Sequence, residues 1–213
     1  LVFLVVNEPR RRPLTPSPQS IFTLVTRRDV ILPSLLSAVG QYATYAATYG
    51  FIPIMAQHLG AGNLIQSVLT TFNLGVTILG NLLASLVIKR TGARALIYIG
   101  FAILAGGLTL AALSTQVWML YIATFLNGLA SGLVYPVCMG MSIEKVQGAE
   151  RTTAMGLHQA VYAVGMFTGP WLSGILADQI GIPAMFGVTA LIVLAMGWTG
   201  VRLLTSKRVP SES

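Results

Sequence analysis

Polar residues along this chain gather in short clusters separated by long apolar stretches. No Asp, Glu, Lys or Arg occurs between Asp29 and Lys89, or between Arg94 and Glu144. Each gap has room for two helices of roughly 20 residues, the length that crosses the hydrocarbon core of a bilayer. Two further apolar stretches run from Ala154 to Ala177 and from Ala184 to Leu204. The pattern predicts six spanning helices: about Val30–Gln57, Leu64–Ile88, Ala95–Leu113 and Trp118–Met141, a fifth from Ala154, and a sixth ending near Leu204. The fold class is therefore an all-α membrane protein, a six-helix transmembrane bundle.

Within these spans the polar side chains recur at helical spacing. The first carries Ser37, Gln41, Tyr45 and Thr48, and the second Ser67, Thr70, Asn73, Thr77 and Asn81. The fourth carries Thr124, Asn127, Ser131 and Tyr135, and the fifth has His158, Gln159 and Tyr162 near one end. Polar groups in a membrane helix are costly unless they face protein or water, so such stripes mark an inner surface. The third and sixth spans are plain apart from Thr109 and Thr189, and are expected to face lipid. The order striped, striped, plain occurs twice, as two three-helix repeats with a site between them would give. Asn, Gln and Thr that bond between helices would give the same pattern for any one residue taken alone.

Glycine and proline add packing information. Gly128/Gly132 and Gly165/Gly169 are small-xxx-small pairs that let backbones approach, and Pro53, Pro136 and Pro170 free backbone groups that neighbours must satisfy. A bend at Pro170, with Gly165 and Gly169 packed close beside it, is expected to give the fifth helix a pivot.

Composition agrees with a lipid environment: 54% of residues are hydrophobic and 9% charged, against about a quarter charged in a soluble domain. The net charge of +7 would suggest nucleic acid in a soluble chain, but here it sits in the short segments between spans. All 13 Lys and Arg fall before the first span, in the second-to-third turn, in the fourth-to-fifth loop, or at the C-terminal end. The three other loops have none. Positive residues stay on the cytoplasmic face during insertion, so both flanks of the bundle are expected to be cytoplasmic, in the cell membrane. The lone Cys138 offers neither a disulfide framework nor a metal site, and no cofactor is implied.

The chain opens on a short apolar run at 1–6, expected to be the end of a truncated preceding helix. A Pro/Arg-rich cytoplasmic connector is expected over 7–29, the bundle over 30–204, and a cytoplasmic tail over 205–213. The connector holds four prolines and three arginines in NEPRRRPLTPSPQS, which suits an extended or mobile segment.

Two motifs carry a family resemblance. The turn KRTGAR (Lys89 to Arg94) and the run GMFTGPWLSGILADQIG (Gly165 to Gly181) resemble segments of the major facilitator superfamily, and nearly the whole chain looks like the C-terminal half of such a transporter. Lys89 stands where the family's turn has an acidic residue. The resemblance implies half of that fold, built of two inverted three-helix repeats, and a secondary transporter working by alternating access on a small-molecule substrate. Its partners would be the lipid bilayer and a missing N-terminal six-helix half. Proton-coupled efflux of drug-like compounds is one form this takes. The cavity wall would include Gln41, Tyr45, Asn73, Thr77, Asn127, Ser131, Tyr135, Gln159 and Tyr162. Gate and hinge roles would fall to Arg90, Gly92, Arg94, His158, Gly165, Gly169, Pro170 and Asp178. No fixed charge lies at mid-membrane, which favours a neutral or amphipathic solute over a strongly anionic one.

Two other readings compete. One is a complete six-helix protein that acts as a homodimer or as a non-transporting membrane partner. An intramembrane serine protease would need Ser131 and His158 as a dyad. Leu129, in place of the glycine of a G-x-S-G turn, and the different depths of the two residues speak against it, and no enzyme is expected.

Overall fold

The computed structural model describes residues 18–148 and 150–205. The expected helix end at 1–6, most of the connector and the tail beyond Thr205 lie outside the described residues. Every regular element described is helical: α1 (Pro18–Thr26), α2 (Arg28–Thr44), a π-helical segment (Tyr45–Phe51), α3 (Ile52–His58), α4 (Asn63–Thr91), α5 (Ala93–Ala112), α6 (Val117–Glu144), α7 (Glu150–Ile180) and α8 (Ile182–Thr205). Helices α4 to α8 are each long and apolar enough to cross a membrane.

The first expected span is where the backbone departs most from expectation. One helix was predicted over Val30–Gln57, yet the run from Arg28 to His58 widens to a π-helix at Tyr45–Phe51. Pro53 supplies the physical reason. It has no N–H to give the carbonyl one turn earlier, and its ring crowds that carbonyl. Widening the preceding turn relieves the crowding, and the Ile52 N–H bonds to the Ala47 carbonyl, five residues back. Such bulges are rare and often sit at functional sites.

Other boundaries move outward. Helix α6 continues to Glu144 and α7 begins at Glu150, so the loop expected over Ser142–Thr153 shrinks to a short link. Within the connector expected to be extended, residues 18–26 form α1, which buries Leu24 in a small cluster with Val30, Val146 and Ala154. Gly92, at φ +79°, ends α4 and begins α5. A side chain there would be strained, so only glycine makes this tight reversal cheaply.

Two close backbone contacts organise the bundle. A Cβ on Gly165 would run into the Ala38 carbonyl, and one on Gly169 would lie 2.5 Å from the Tyr42 carbonyl. These two glycines therefore bring α7 directly onto α2. Gly128 and Gly132 do the same for α6 against α4, where a Cβ on Gly128 would lie 2.8 Å from the Asn73 carbonyl. Both small-xxx-small pairs thus serve as packing surfaces. Pro170 sits inside a continuous α7, and its Cβ is 4.0 Å from the position a Cβ on Gly50 of the π segment would take.

The plain helices are not simply the outer ones. Half of the most apolar stretch of α5 is buried, against 17% for α7 and 22% for α4. Leu96, Ile97, Phe101, Leu104 and Leu108 of α5 belong to the main core, since Gly100 and Gly107 admit the Val134 and Asn127 side chains of α6. Thr189 of α8, expected toward lipid, is fully buried and donates to the Met185 carbonyl at 2.9 Å.

Gly165→Leu should force α7 off α2 and lower stability by at least about 1–3 kcal/mol, the usual cost of overpacking. Thr189→Leu should also destabilise, whereas Gly75→Leu, where a Cβ meets nothing within 4 Å, should be close to neutral. Thermal unfolding of the three variants in one detergent checks the order.

Candidate functional site

A wall of aromatic and hydroxyl side chains runs along α2, the π segment, α6 and α7. Tyr135 of α6 meets Tyr162 of α7 edge-on, with ring centroids 5.2 Å apart and planes at 81°. His158 lies 6.0 Å from Tyr135 and 6.1 Å from Tyr162 by centroid. One helical turn separates His158 from Tyr162, so α7 delivers both to the same cluster. On the π segment Tyr45 and Tyr49 pair at 4.8 Å, and Tyr49 is exposed.

His158 itself is fully buried. Its Nδ1 lies 3.0 Å from the Ser34 hydroxyl of α2, and that hydroxyl donates to the Val30 carbonyl at 2.7 Å. With the serine proton committed there, Nδ1–H of a neutral imidazole is the donor to Ser34 Oγ. Nε2 is left as an acceptor, buried and without a hydrogen-bond partner.

Further into the bundle, Ser131 donates to the Asn127 carbonyl at 2.9 Å and accepts from Thr44 at 2.8 Å. Beside this pair lies a void of about 10 Å³ lined in part by Ser37, Gln41, Thr44, Ser131 and Tyr135, with room for roughly one water. Tyr42 and Ser173 link α2 to α7 at 3.1 Å.

The structure therefore unites some of the sequence-predicted residues and separates others. Gln41, Ser131 and Tyr135 share one void, and Tyr135, His158 and Tyr162 share one cluster. Asn73 is instead enclosed between helices, where its amide donates to the Thr124 carbonyl at 3.1 Å. Thr77 donates to the Asn73 carbonyl at 2.9 Å on the same α4–α6 seam. Asn127 is fully buried, and its Oδ1 sits where a Cβ on Gly107 of α5 would be. Asn73 and Asn127 are thus enclosed where glycines bring the helices close, and Thr77 is half-buried beside them. Gln159 is exposed. Asp178 lies at the opposite end, in an open notch of about 710 Å³ shared with His58 and apolar side chains. Arg90 is exposed in the last turn of α4, and Arg94 donates to the Leu204 carbonyl at 3.5 Å. Ser131 and His158 do not form a dyad, since each has another partner.

Sequence reasoning missed Ser34, Thr44 and Tyr49. The four-residue step from Tyr45 to Tyr49 was available as a signal; the pairing of Ser34 with a residue 124 positions away was not.

At the basic end, Arg27 grips Asp29 through two bonds, Nε–Oδ1 at 3.2 Å and Nη2–Oδ2 at 2.7 Å, and also reaches the Lys145 carbonyl at 3.2 Å. It thereby ties the start of α2 to the α6–α7 link. The hydrogen bond from Arg27 holds the Asp29 carboxyl below its usual range, and the same bond raises Arg27.

Five long apolar helices, polar groups bonded between helices, and basic residues at the helix ends define a multi-pass α-helical membrane protein. Its particular class follows from comparison: the family model of the Major Facilitator Superfamily matches residues 34–213, and the chain belongs to that family, whose members are transporters. It is 27% identical over 176 residues to an uncharacterised MFS-type transporter, YttB, of Bacillus subtilis, covering 82% of this chain and 42% of that protein. Over 139 residues it is 31% identical to the synaptic vesicular amine transporter of Mus musculus, covering 65% of this chain and 27% of the transporter. A third relative, the class H tetracycline resistance protein of Pasteurella multocida, is 35% identical over 86 residues, or 40% of this chain and 21% of that protein. The chain thus spans less than half the length of these relatives.

Ser34→Ala should leave the buried His158 Nδ1–H without an acceptor and cost about 1–3 kcal/mol, read as a fall in unfolding temperature. The Arg27–Asp29 pair contributes stability above the unfolded carboxylate pKa of about 3.9 and loses it as pH falls through the lower folded value. Both side chains are about a third exposed, so the contribution should stay below about 1 kcal/mol. Asp29→Asn should remove that part of the acid-side loss, measured as unfolding temperature against pH.

Proposed function

We propose that the chain forms one half of a secondary transporter that moves a small neutral or amphipathic solute by alternating access. The Tyr135–His158–Tyr162 cluster carries the reading. It places aromatic faces and an unpartnered imidazole nitrogen on α6 and α7, beside the hydroxyl-lined void against α2. Aromatic rings offer apolar area and a negative face, and hydroxyls and an imidazole nitrogen orient a ligand without fixed charge. Gln41, Tyr45 and Gln159 extend the wall, while Asn73 ties α4 to α6. A companion six-helix half supplies the opposite wall.

Switching between open states would turn on the contact between α7 and the π segment. Gly165 and Gly169 let α7 rock on α2, Pro170 faces the widened turn, and both helices lack a complete bond ladder there. The run Arg28–His58 is the first span and brings the five long apolar helices to six. The turn at Arg90, Gly92 and Arg94 and the α6–α7 link lie in the cytoplasm, and the end carrying His58 and Asp178 faces outward. That orientation rests on the charge asymmetry, and the plasma membrane is the proposed location. The relatives' names, an amine transporter and a tetracycline resistance protein, are compatible with an amphipathic solute and with efflux.

On a Cys138→Ser background, a cysteine at Gly60 should react with an impermeant maleimide in intact cells, and cysteines at Thr91 and Gln147 should not. Labelling at Thr91 from outside would reverse the topology. The purified 213-residue chain in liposomes should not transport. Pairing it with a companion six-helix half should give transport, and Tyr135→Ala or Tyr162→Ala should then lower it at least about tenfold, as loss of about 1.4 kcal/mol of solute binding would. Transport by the chain alone, or full activity in both variants, would overturn the reading.

A further inference from the structure

Helices α5 and α8 pack antiparallel, and their basic ends carry a cluster that the solute wall does not use. Arg202 lies over the Trp198 ring, 4.6 Å from its centroid. Trp198 in turn meets Tyr98 of α5 edge-on at 5.5 Å. Arg94, one turn from Tyr98, reaches the Leu204 carbonyl of α8. Two guanidiniums thus stand at the mouth of one seam, with a tyrosine and a tryptophan one turn deeper. Among the described residues neither arginine has a carboxylate partner; the ion pair there joins Arg27 and Asp29. The described carboxylates at this end, Asp29, Glu144 and Glu150, belong to α2, α6 and α7. Lys89 and Arg90 close the preceding helix and add positive charge of their own.

Below Arg202, α8 presents an exposed stripe at spacings of four, four and three: Trp198 (53% exposed), Leu194 (48%) and Leu191 (69%). From Arg202 to Leu191 the rise is about 17 Å at 1.5 Å per residue, or roughly one leaflet of a hydrocarbon core about 30 Å thick. The stripe carries no polar side chain after the arginine and tryptophan. A ligand that fits must be anionic at one end and apolar for one leaflet below it.

We propose that Arg94 and Arg202 bind the headgroup of an anionic phospholipid, with an acyl chain laid along Trp198, Leu194 and Leu191. The site rests on the membrane reading of the fold, and is independent of the transport reading and of which face is cytoplasmic. The guanidiniums supply bidentate donors to a phosphate. Stacking on Trp198 holds Arg202 in place so that less freedom is lost on binding. A basic cluster beside spanning helices is the arrangement that selects anionic headgroups over zwitterionic ones.

Trp198 reports its own neighbour. With Trp118→Phe and Trp171→Phe it is the last of the chain's 3 tryptophans, and bromine on lipid acyl chains quenches it only on contact. In phosphatidylcholine vesicles, a minor fraction of brominated phosphatidylglycerol should quench Trp198 severalfold more than the same fraction of brominated phosphatidylcholine. Arg94→Gln with Arg202→Gln should bring the two to equality, corresponding to about a tenfold or greater loss of selectivity. Arg151→Gln, which removes the same kind of charge elsewhere, should leave the preference intact.

Equal quenching by the two lipids in the parent protein would overturn the proposal even if the double variant failed to fold. A preference that survives the double variant, or that Arg151→Gln abolishes equally, would also overturn it. Loss of the preference on adding inorganic phosphate at matched ionic strength would assign the arginines to free phosphate instead. No quenching by either lipid would mean that protein, a second copy or the companion half, covers the stripe.

Discussion

A backbone in hydrocarbon has no water to bond, so every N–H and C=O must find its partner within the protein. This constraint makes the bundle helical throughout and decides where the helices deviate. At Pro53 the ladder cannot continue as an α-helix without a crowded carbonyl, and the chain adopts a π turn that bonds Ile52 to Ala47. That widened turn carries Tyr45 and Tyr49 and lies against Pro170. Two imperfect stretches of backbone thus face each other beside the aromatic wall, where a transporter needs compliance.

Close helix packing lies beside it. Helix association in lipid gains little from the hydrophobic effect, because lipid tails are as apolar as leucine, and depends on close packing and interhelical hydrogen bonds. Glycines at 165 and 169 bring α7 onto α2, and those at 128 and 132 bring α6 onto α4. The polar residues caught between such backbones become structural: Asn73 holds Thr124, and Thr44 holds Ser131. The proposed solute wall draws instead on Gln41, Tyr45, Tyr135, Gln159 and Tyr162, with Ser131 beside the void.

Charge is segregated along the bundle axis. The described Lys and Arg lie at one end, and His58 and Asp178 lie at the other. At the basic end, arginines work in two ways. Arg27 has a carboxylate and a carbonyl to bond, and fastens α2 to the α6–α7 link. Arg94 and Arg202 have no carboxylate among the described residues and stand over an apolar seam, an arrangement suited to a charged partner from the bilayer.

The sequence alone determined the helical membrane class, the position of the five long apolar helices and the segregation of charge, because hydropathy, helix length and loop charge are local properties read directly along the chain. It also marked Gly165/Gly169 and Gly128/Gly132, since a missing side chain has one main use in a lipid-embedded helix. It did not reveal the π turn, because a proline admits a kink, a break or a widened turn, and the neighbouring helix selects among them. It placed Asn73, Thr77 and Asn127 on the same footing as Gln41 and Tyr135, because a polar stripe looks alike whether it faces another helix or a cavity. Only tertiary packing separated them, by closing α6 against α4 and α5. The same packing buried Thr189 and much of α5, which their plain sequences had suggested to be lipid-facing, and brought Ser34 to His158 and Arg202 over Trp198 beside Arg94. Contacts between helices depend on which faces meet, and that is decided when backbones approach, not by the order of residues along any one of them.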